Sequence, residues 1–194
     1  MHKPAMPLYC EICRRAKMRE TPHRKDSFNE SDSAEAKAEA FGDCVTSDFL
    51  AGKQNFMLGV GGWTNAMNML DLGSTAKMCY PTVSRDAEDC RIRLQEFGGE
   101  PTAIKRYYGD GEGGVGKALD KLKIRHRFSP PGQPVMNSKA ENNNNDILQG
   151  ARALLSQAGL PACFWPFAAP YYCLMHNLCY TIVYYESLSQ KLGL

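Results

Sequence analysis

The stretch RYYGDGEGGVGKALDKL, residues 106–122, decides between two folds for this chain. Residues 111–117 fit the pattern G-x-x-x-x-G-K of a phosphate-binding loop, in which backbone N–H groups and the lysine hold the phosphates of a nucleotide. The next position of that pattern is a serine or threonine that binds magnesium, and here it is Ala118. A nucleotide hydrolase that uses Lys117 is therefore one alternative, although it lacks the metal-binding hydroxyl.

The other interpretation starts from Asp110, which follows a predicted strand over residues 102–109. A carboxylate at a strand end projects into the crevice above the sheet. Asp48, at the end of a predicted strand in residues 41–50, and Glu141, at the start of a long predicted helix, are the candidates to join it. Carboxylate oxygens are the ligands that magnesium and manganese prefer, and a pair of such ions promotes phosphoryl transfer. The three acids therefore predict a metal site.

Hydrophobic periodicity predicts a mixed α/β fold. The predicted strands lie at 41–50, 56–63, 65–73, 102–109 and 124–129, with 76–83 either continuing the third or forming another. The predicted helices lie at 86–97, 116–123 and 140–158, and residues 163–185 are expected to form a core or partner-binding helix. This order is typical of a mixed sheet flanked by helices.

The composition indicates one globular domain with a basic arm. The chain has 194 residues, 43% hydrophobic and 23% charged, and its net charge of +2 by itself implies no polyanion partner. Residues 1–25 are strongly basic and contain the C-x-x-C of Cys10 and Cys13, and residues 26–40 are a polar linker. The six other cysteines are expected to be buried free thiols, as in a reducing intracellular compartment. No membrane segment is expected.

Four motifs together resemble a known family. The stretch IRHRFSPPGQPVMNSKAENNNNDILQGARALLSQAGLPACFWPFA, residues 124–168, is similar to the end of the integrase core of copia-type retrotransposon polyproteins. Upstream, GDGEGG (109–114) and FGDCVTSDFL (41–50) resemble the family's second and first acidic segments. PLYCEICRRAKMR (7–19) resembles the end of its HHCC zinc module. The resemblance covers residues 2–177 approximately.

The resemblance implies an α/β, RNase H-like fold with a five-stranded mixed sheet flanked by helices. It also implies a polynucleotidyl transferase that processes the 3′ ends of an element's DNA and joins them to target DNA. Asp48, Asp110 and Glu141 would be catalytic and would bind Mg²⁺ or Mn²⁺. The implied organisation is a zinc arm (1–25), a linker (26–40), the catalytic core (41–177) and a divergent tail (178–194), active as a homo-oligomer in the nucleus.

The resemblance and the positive charge of residues 1–25 together predict further contacts. Cys10 and Cys13 would be half of a Zn²⁺ site, because structural zinc takes four protein ligands. The residues expected to contact DNA are Arg14, Arg15, Lys17, Asn137 and Lys139.

The chain also departs from the family pattern. The departures are Gly111, Val135, Ser138 and Asn142, which stand where the family has asparagine, glutamine, glycine and arginine. They leave open a catalytically dead RNase H-like fragment of a decayed element that only binds nucleic acid.

Overall fold

The computed structural model describes residues 10–12, 38–51, 58–111, 114–129 and 138–192, with the backbone alone at residue 51 and at 180–192. Five strands form one sheet: β1 (Val45–Ala51), β2 (Asn65–Asp71), β3 (Lys77–Thr82), β4 (Arg106–Gly109) and β5 (Arg125–Phe128). The strands lie in the order β3-β2-β1-β4-β5. β1, β2 and β3 pair antiparallel as a meander, and β4 and β5 add to β1 in parallel.

Four helices accompany this sheet in the described ranges. They are α1 (Ala87–Gly98), α2 (Val115–Lys121), α3 (Ser138–Ala158) and α4 (Trp165–Leu192), with a short 3-10 turn at Ala162–Phe164 before the last. α1 begins at an Asp86 cap, whose carboxylate accepts hydrogen bonds from the N–H groups of Glu88 and Asp89. None of the described helices combines the length and hydropathy of a bilayer-spanning segment.

The predicted α/β class with a five-stranded mixed sheet is confirmed, and two local predictions are wrong. Residues 56–63 were expected to be a strand, but 58–63 contain no strand, and Gly61 and Gly62 adopt φ values of +93° and +86° that a strand cannot use. Asp48 was expected at a strand end, but β1 continues to Ala51 because its antiparallel pairing with β2 continues to the Ala51–Asn65 pair.

The two faces of the sheet bury different sets of side chains. Val45, Ser47 and Phe49 alternate with Asp48 and Leu50 along β1, so the two sets point to opposite faces. The first face packs under α1 and α2 in an apolar core that includes Val45, Phe49, Met67, Leu94, Tyr107 and Leu119. The second face lies under α3 and α4, whose core includes Ala66, Cys79, Ile147, Leu155, Trp165 and Tyr172. Asp48 therefore lies on the α3 face.

Candidate carboxylate site

Two parallel strands bring Asp48 and Asp110 side by side. β1 pairs with β4 through Val45 and Tyr107. Three residues further along each strand are Asp48, in β1, and Asp110, one residue beyond β4. Alternation of side chains puts Asp48 on the face opposite Tyr107, and the same alternation continued past β4 leads Asp110 to that face. Asp48 is half-buried, whereas Asp110, just beyond the last residue of β4, is exposed. The strand register brings their backbones to neighbouring positions, and the convergence of their carboxylates stays a prediction.

The charges of both carboxylates act on the phenol of Tyr107, which lies on the other side of the sheet. Its hydroxyl lies 2.7 Å from the hydroxyl of Ser47, in the core beneath the two aspartates. Burial raises the pKa of the Tyr107 phenol well above its ordinary value, and the charges of Asp48 and Asp110 raise it further, although the bond with Ser47 lowers it. Both aspartates are therefore close enough to act on one group.

Helix α3 brings Glu141 to the same face. The side-chain amide of Asn144 donates to Oδ2 of Asp48 at 2.7 Å, which fixes the first part of α3 over β1. Glu141 precedes Asn144 by three residues, so it lies on the same side of the helix and about 4.5 Å nearer its start. Glu141 is exposed, like Asp110. The third predicted acid thus lies one helical turn from the contact with Asp48.

A chain of amides holds Asp48 in place. Asn68 stands opposite Asp48 in the pairing of β1 with β2, and its Nδ2 donates to Oδ1 of Asn144 at 2.8 Å. The backbone N–H of Phe49 donates to Oδ1 of Asp48 at 2.8 Å. Both oxygens of Asp48 therefore accept a hydrogen bond from the protein, and the carboxylate has a defined orientation.

Asn68 and Asn144 were not predicted as site residues. Asn68 is a single amide between two buried methionines of β2, and Asn144 follows Glu141 by one turn on the buried side of α3. A buried amide needs a hydrogen-bond partner. An asparagine within an apolar strand or on the apolar side of a helix therefore indicates a polar contact, and this was the signal in the sequence. The sequence does not identify the partner, because it is 76 residues away along the chain.

The three predicted acids are not gathered into a metal-binding group in the part of the chain that the structure describes. Across the described ranges, no three His, Cys, Asp or Glu side chains form a group that could hold a metal ion. Asp110 and Glu141 are exposed, so their side chains have room to change rotamer, whereas Asp48 is fixed by its two hydrogen bonds. The donors are all carboxylate oxygens, which fits Mg²⁺ or Mn²⁺ by chemistry.

Neighbouring protein atoms lie close to three of the glycines in residues 111–117, where a larger residue would carry its side chain. A Cβ atom at Gly111 would lie 3.1 Å from Cγ of Phe128, and one at Gly116 would lie 3.2 Å from Cζ of the same ring. A Cβ atom at Gly114 would lie 2.2 Å from the backbone nitrogen of Ala87 at the start of α1. These contacts account for three glycines of the motif by packing, which weighs against a phosphate cradle. Lys117 is exposed on α2.

The predicted zinc and DNA contacts fall largely outside the described residues. Cys10 is half-buried, while Cys13, Arg14, Arg15, Lys17 and Asn137 lie outside the described ranges. Lys139 is half-buried in the first turn of α3, two residues before Glu141. Its predicted contact with DNA stays a prediction.

The cysteines of the core are free thiols, as the sequence predicts. Cys44, Cys79, Cys90 and Cys173 are buried, whereas Cys163 and Cys179 are half-buried. Burial is the main cause that raises the pKa of Cys90 to about 11 and that of Cys173 to about 12. These two thiols stay protonated at neutral pH, which disfavours them as metal ligands or nucleophiles.

No protein-family model matches the chain. No curated protein is significantly similar to it either.

Proposed function

We propose that this chain is the catalytic core of a DNA integrase, a metal-dependent polynucleotidyl transferase with an RNase H-like fold. The observation that carries the proposal is the common face of Asp48, Asp110 and Glu141. The resemblance to copia-type integrase cores assigns the same three residues to catalysis. The mixed sheet, with a meander followed by two parallel strands, supports the same fold.

The three acids have unequal parts in this proposal. Two divalent cations bound by such carboxylates supply activation of the attacking oxygen and stabilisation of the leaving oxygen in phosphoryl transfer. Asp48 is the fixed member, since Phe49 and Asn144 hold its two oxygens. Asp110 and Glu141 are the exposed members that a DNA strand can reach from solvent. The fold thus contributes one oriented carboxylate and two that adjust on binding.

An exposed seam on α4 supports self-association, in keeping with a homo-oligomeric assembly. Four exposed apolar residues follow one another at intervals of four, three and four residues: Phe167, Tyr171, Leu174 and Leu178. This is the spacing of a coiled-coil seam. No Asp, Glu, Lys or Arg occurs from residue 165 to 178, so the seam fits a second copy of the chain rather than a polyanion.

One observation favours a second candidate function. Because no three potential ligands among the described residues are close enough to hold a metal ion, the chain could bind nucleic acid without cutting it. This candidate is the RNase H-like fragment of a decayed element that only binds nucleic acid. It shares the DNA partner and differs in the loss of metal binding and turnover.

Manganese binding and DNA cleavage distinguish the two functions. We expect the full chain to bind Mn²⁺ in calorimetry, to nick supercoiled plasmid and to join short DNA ends to it when Mn²⁺ is present. Asp110→Asn should abolish these activities and weaken Mn²⁺ binding, because it removes one of the shared carboxylates. Asp120→Asn is the matched control, since this exposed acid lies on α2 and outside the proposed site.

The two results lead to different conclusions. Activity in the wild type and in Asp120→Asn that is lost in Asp110→Asn supports the integrase. Equal nicking by the wild type and Asp110→Asn excludes Asp110 as a catalytic residue and contradicts the proposal. DNA binding without Mn²⁺ binding or nicking supports the inactive fragment.

A further inference from the structure

Several lysine and arginine side chains without a partner among the described residues lie at one edge of the sheet. Most described lysines and arginines have a partner: Lys77 pairs with Asp146, Arg91 with Glu88, Arg93 with Asp89 and Glu96, and Lys105 with Asp43. Five have side chains with no hydrogen bond or ion pair to another described residue. They are Lys117, Lys123, Arg125, Arg127 and Arg152, and four of these five lie on α2, on β5 or between them. The chain as a whole has a net charge of only +2, so this concentration is local.

The arginines of β5 point to the face that carries the acids. His126 pairs with Tyr107 in register, and the ring of Phe128 lies 6.4 Å from that of Tyr107, so both follow Tyr107 onto the α2 face. Arg125 and Arg127 alternate with them and therefore lie on the opposite face. That face is the one shared by Asp48, Asp110 and α3. Both arginines are exposed.

This part of the face is open among the described residues. α3 packs on β1 and β2, and α4 packs on β3. β5 is the last strand of the sheet, and its arginines remain in solvent. A surface with two arginines therefore continues from Asp110 to the sheet edge, with Glu141 beside it at the start of α3.

Charge identifies the kind of partner. Three carboxylates on one face repel a polyanion, so a DNA strand that reaches them needs positive charge nearby. Arg125 and Arg127 are alternate residues of a strand, about 6.6 Å apart along it, and can contact different phosphates. Arginine is suited to this contact because its planar guanidinium binds phosphate through two hydrogen bonds.

We propose that Arg125 and Arg127 bind the phosphodiester backbone of DNA and guide a strand across β5 to Asp110. This inference rests on the proposed function and deepens it, because it assigns the substrate path to an edge strand. The contacts are to phosphate, so they hold the strand in position without reading its sequence.

DNA binding in EDTA tests the path independently of metal and turnover. The probe is a fluorescein-labelled DNA duplex of 30 base pairs, titrated with the full chain at several KCl concentrations and followed by anisotropy. The double substitution Arg125→Gln and Arg127→Gln should weaken binding and reduce the slope of log affinity against log salt by about two, one for each phosphate that an arginine no longer neutralises. Arg125→Lys with Arg127→Lys should restore most of the slope.

A matched pair of substitutions controls for net charge. Arg91→Gln with Arg152→Gln also removes two cations, one from α1 on the other side of the sheet and one about 16 Å along α3 from Glu141. An equal loss of slope in this pair would overturn the inference, since only net charge would then matter. An unchanged slope in the Arg125→Gln and Arg127→Gln variant would also overturn the inference. If that variant still nicks DNA with manganese, the proposed function is unaffected. A wild type that does not bind DNA would contradict both.

Discussion

The two halves of the sheet differ in how they are covered. β3, β2 and β1 have α1 on one face and α3 and α4 on the other, and buried residues pack against both faces. β4 and β5 have α2 and its core on one face. On the other face, Asp110, Arg125 and Arg127 are exposed among the described residues. The acids lie where the covered half meets the open half. This boundary gives Asp48 a rigid support and leaves Asp110 exposed to solvent.

Truncating one side chain in each half tests this contrast and should give the largest effect. Ile147 is fully buried between α3 and the covered half, so Ile147→Ala should lower the free energy of unfolding by about 2–5 kcal/mol. Phe128 is a larger side chain but is 38% exposed, so Phe128→Ala should cost only about 1 kcal/mol. Urea unfolding followed by circular dichroism measures both. A cost for Phe128→Ala equal to that for Ile147→Ala would show that the open half is as tightly packed as the covered one.

The boundary itself can be tested through the run of four asparagines in α3. Asn144→Ala removes the donor to Asp48 and the acceptor of Asn68, so it should lower the free energy of unfolding by about 1–3 kcal/mol. It should also reduce manganese-dependent nicking, because Asp48 loses its orientation. Asn145→Ala is the matched control: the adjacent residue is exposed, and its substitution should change the free energy of unfolding by less than about 0.5 kcal/mol. Equal effects of the two substitutions would contradict the positioning role of Asn144.

Local patterns were sufficient to predict much of the fold. The predicted apolar stripe of α3 consists of Ile147, Leu148, Ala151, Leu154, Leu155 and Ala158. Ile147, Ala151 and Leu155 are buried, Leu148 and Leu154 are half-buried, and Ala158 in the last turn is exposed. Gly98 and Gly99 predict the end of α1, which ends at Gly98 with Gly99 as its cap. These predictions succeed because helix periodicity and glycine caps depend on neighbours within a few residues.

The site could be predicted only in part because its geometry depends on distant pairings. Asp110 and Glu141 were placed next to the correct elements, but the end of β1 was missed because β2 determines how far β1 extends. The amide contact between Asn68 and Asn144 depends on how α3 packs on β2. The apolar pattern of residues 56–63 predicts a strand, which is wrong, because Gly61 and Gly62 adopt positive φ values that hydrophobic periodicity cannot reveal.

The smallest effect concerns the ion pair that joins the two halves. Asp43, just before β1, accepts a hydrogen bond from the ammonium group of Lys105, just before β4, at 2.8 Å. This bond is the main cause that lowers the pKa of Asp43 well below its ordinary value, and the N–H groups of Ala40 and Glu39 add to it. Because the folded pKa is lower than the unfolded one, about 3.9, the stabilisation is present above that value and is lost as the pH falls through the folded pKa.

Asp43→Asn should therefore be less stable than the wild type at pH 7, and the difference should shrink steadily below about pH 4. Lys105→Gln should show the same trend with a smaller amplitude, because the backbone donors of Ala40 and Glu39 remain. Urea unfolding at a series of pH values measures both. A difference that stays constant down to pH 2 would mean that the charge of Asp43 does not stabilise the junction, and that only the backbone pairing of β1 with β4 holds the open half to the covered one.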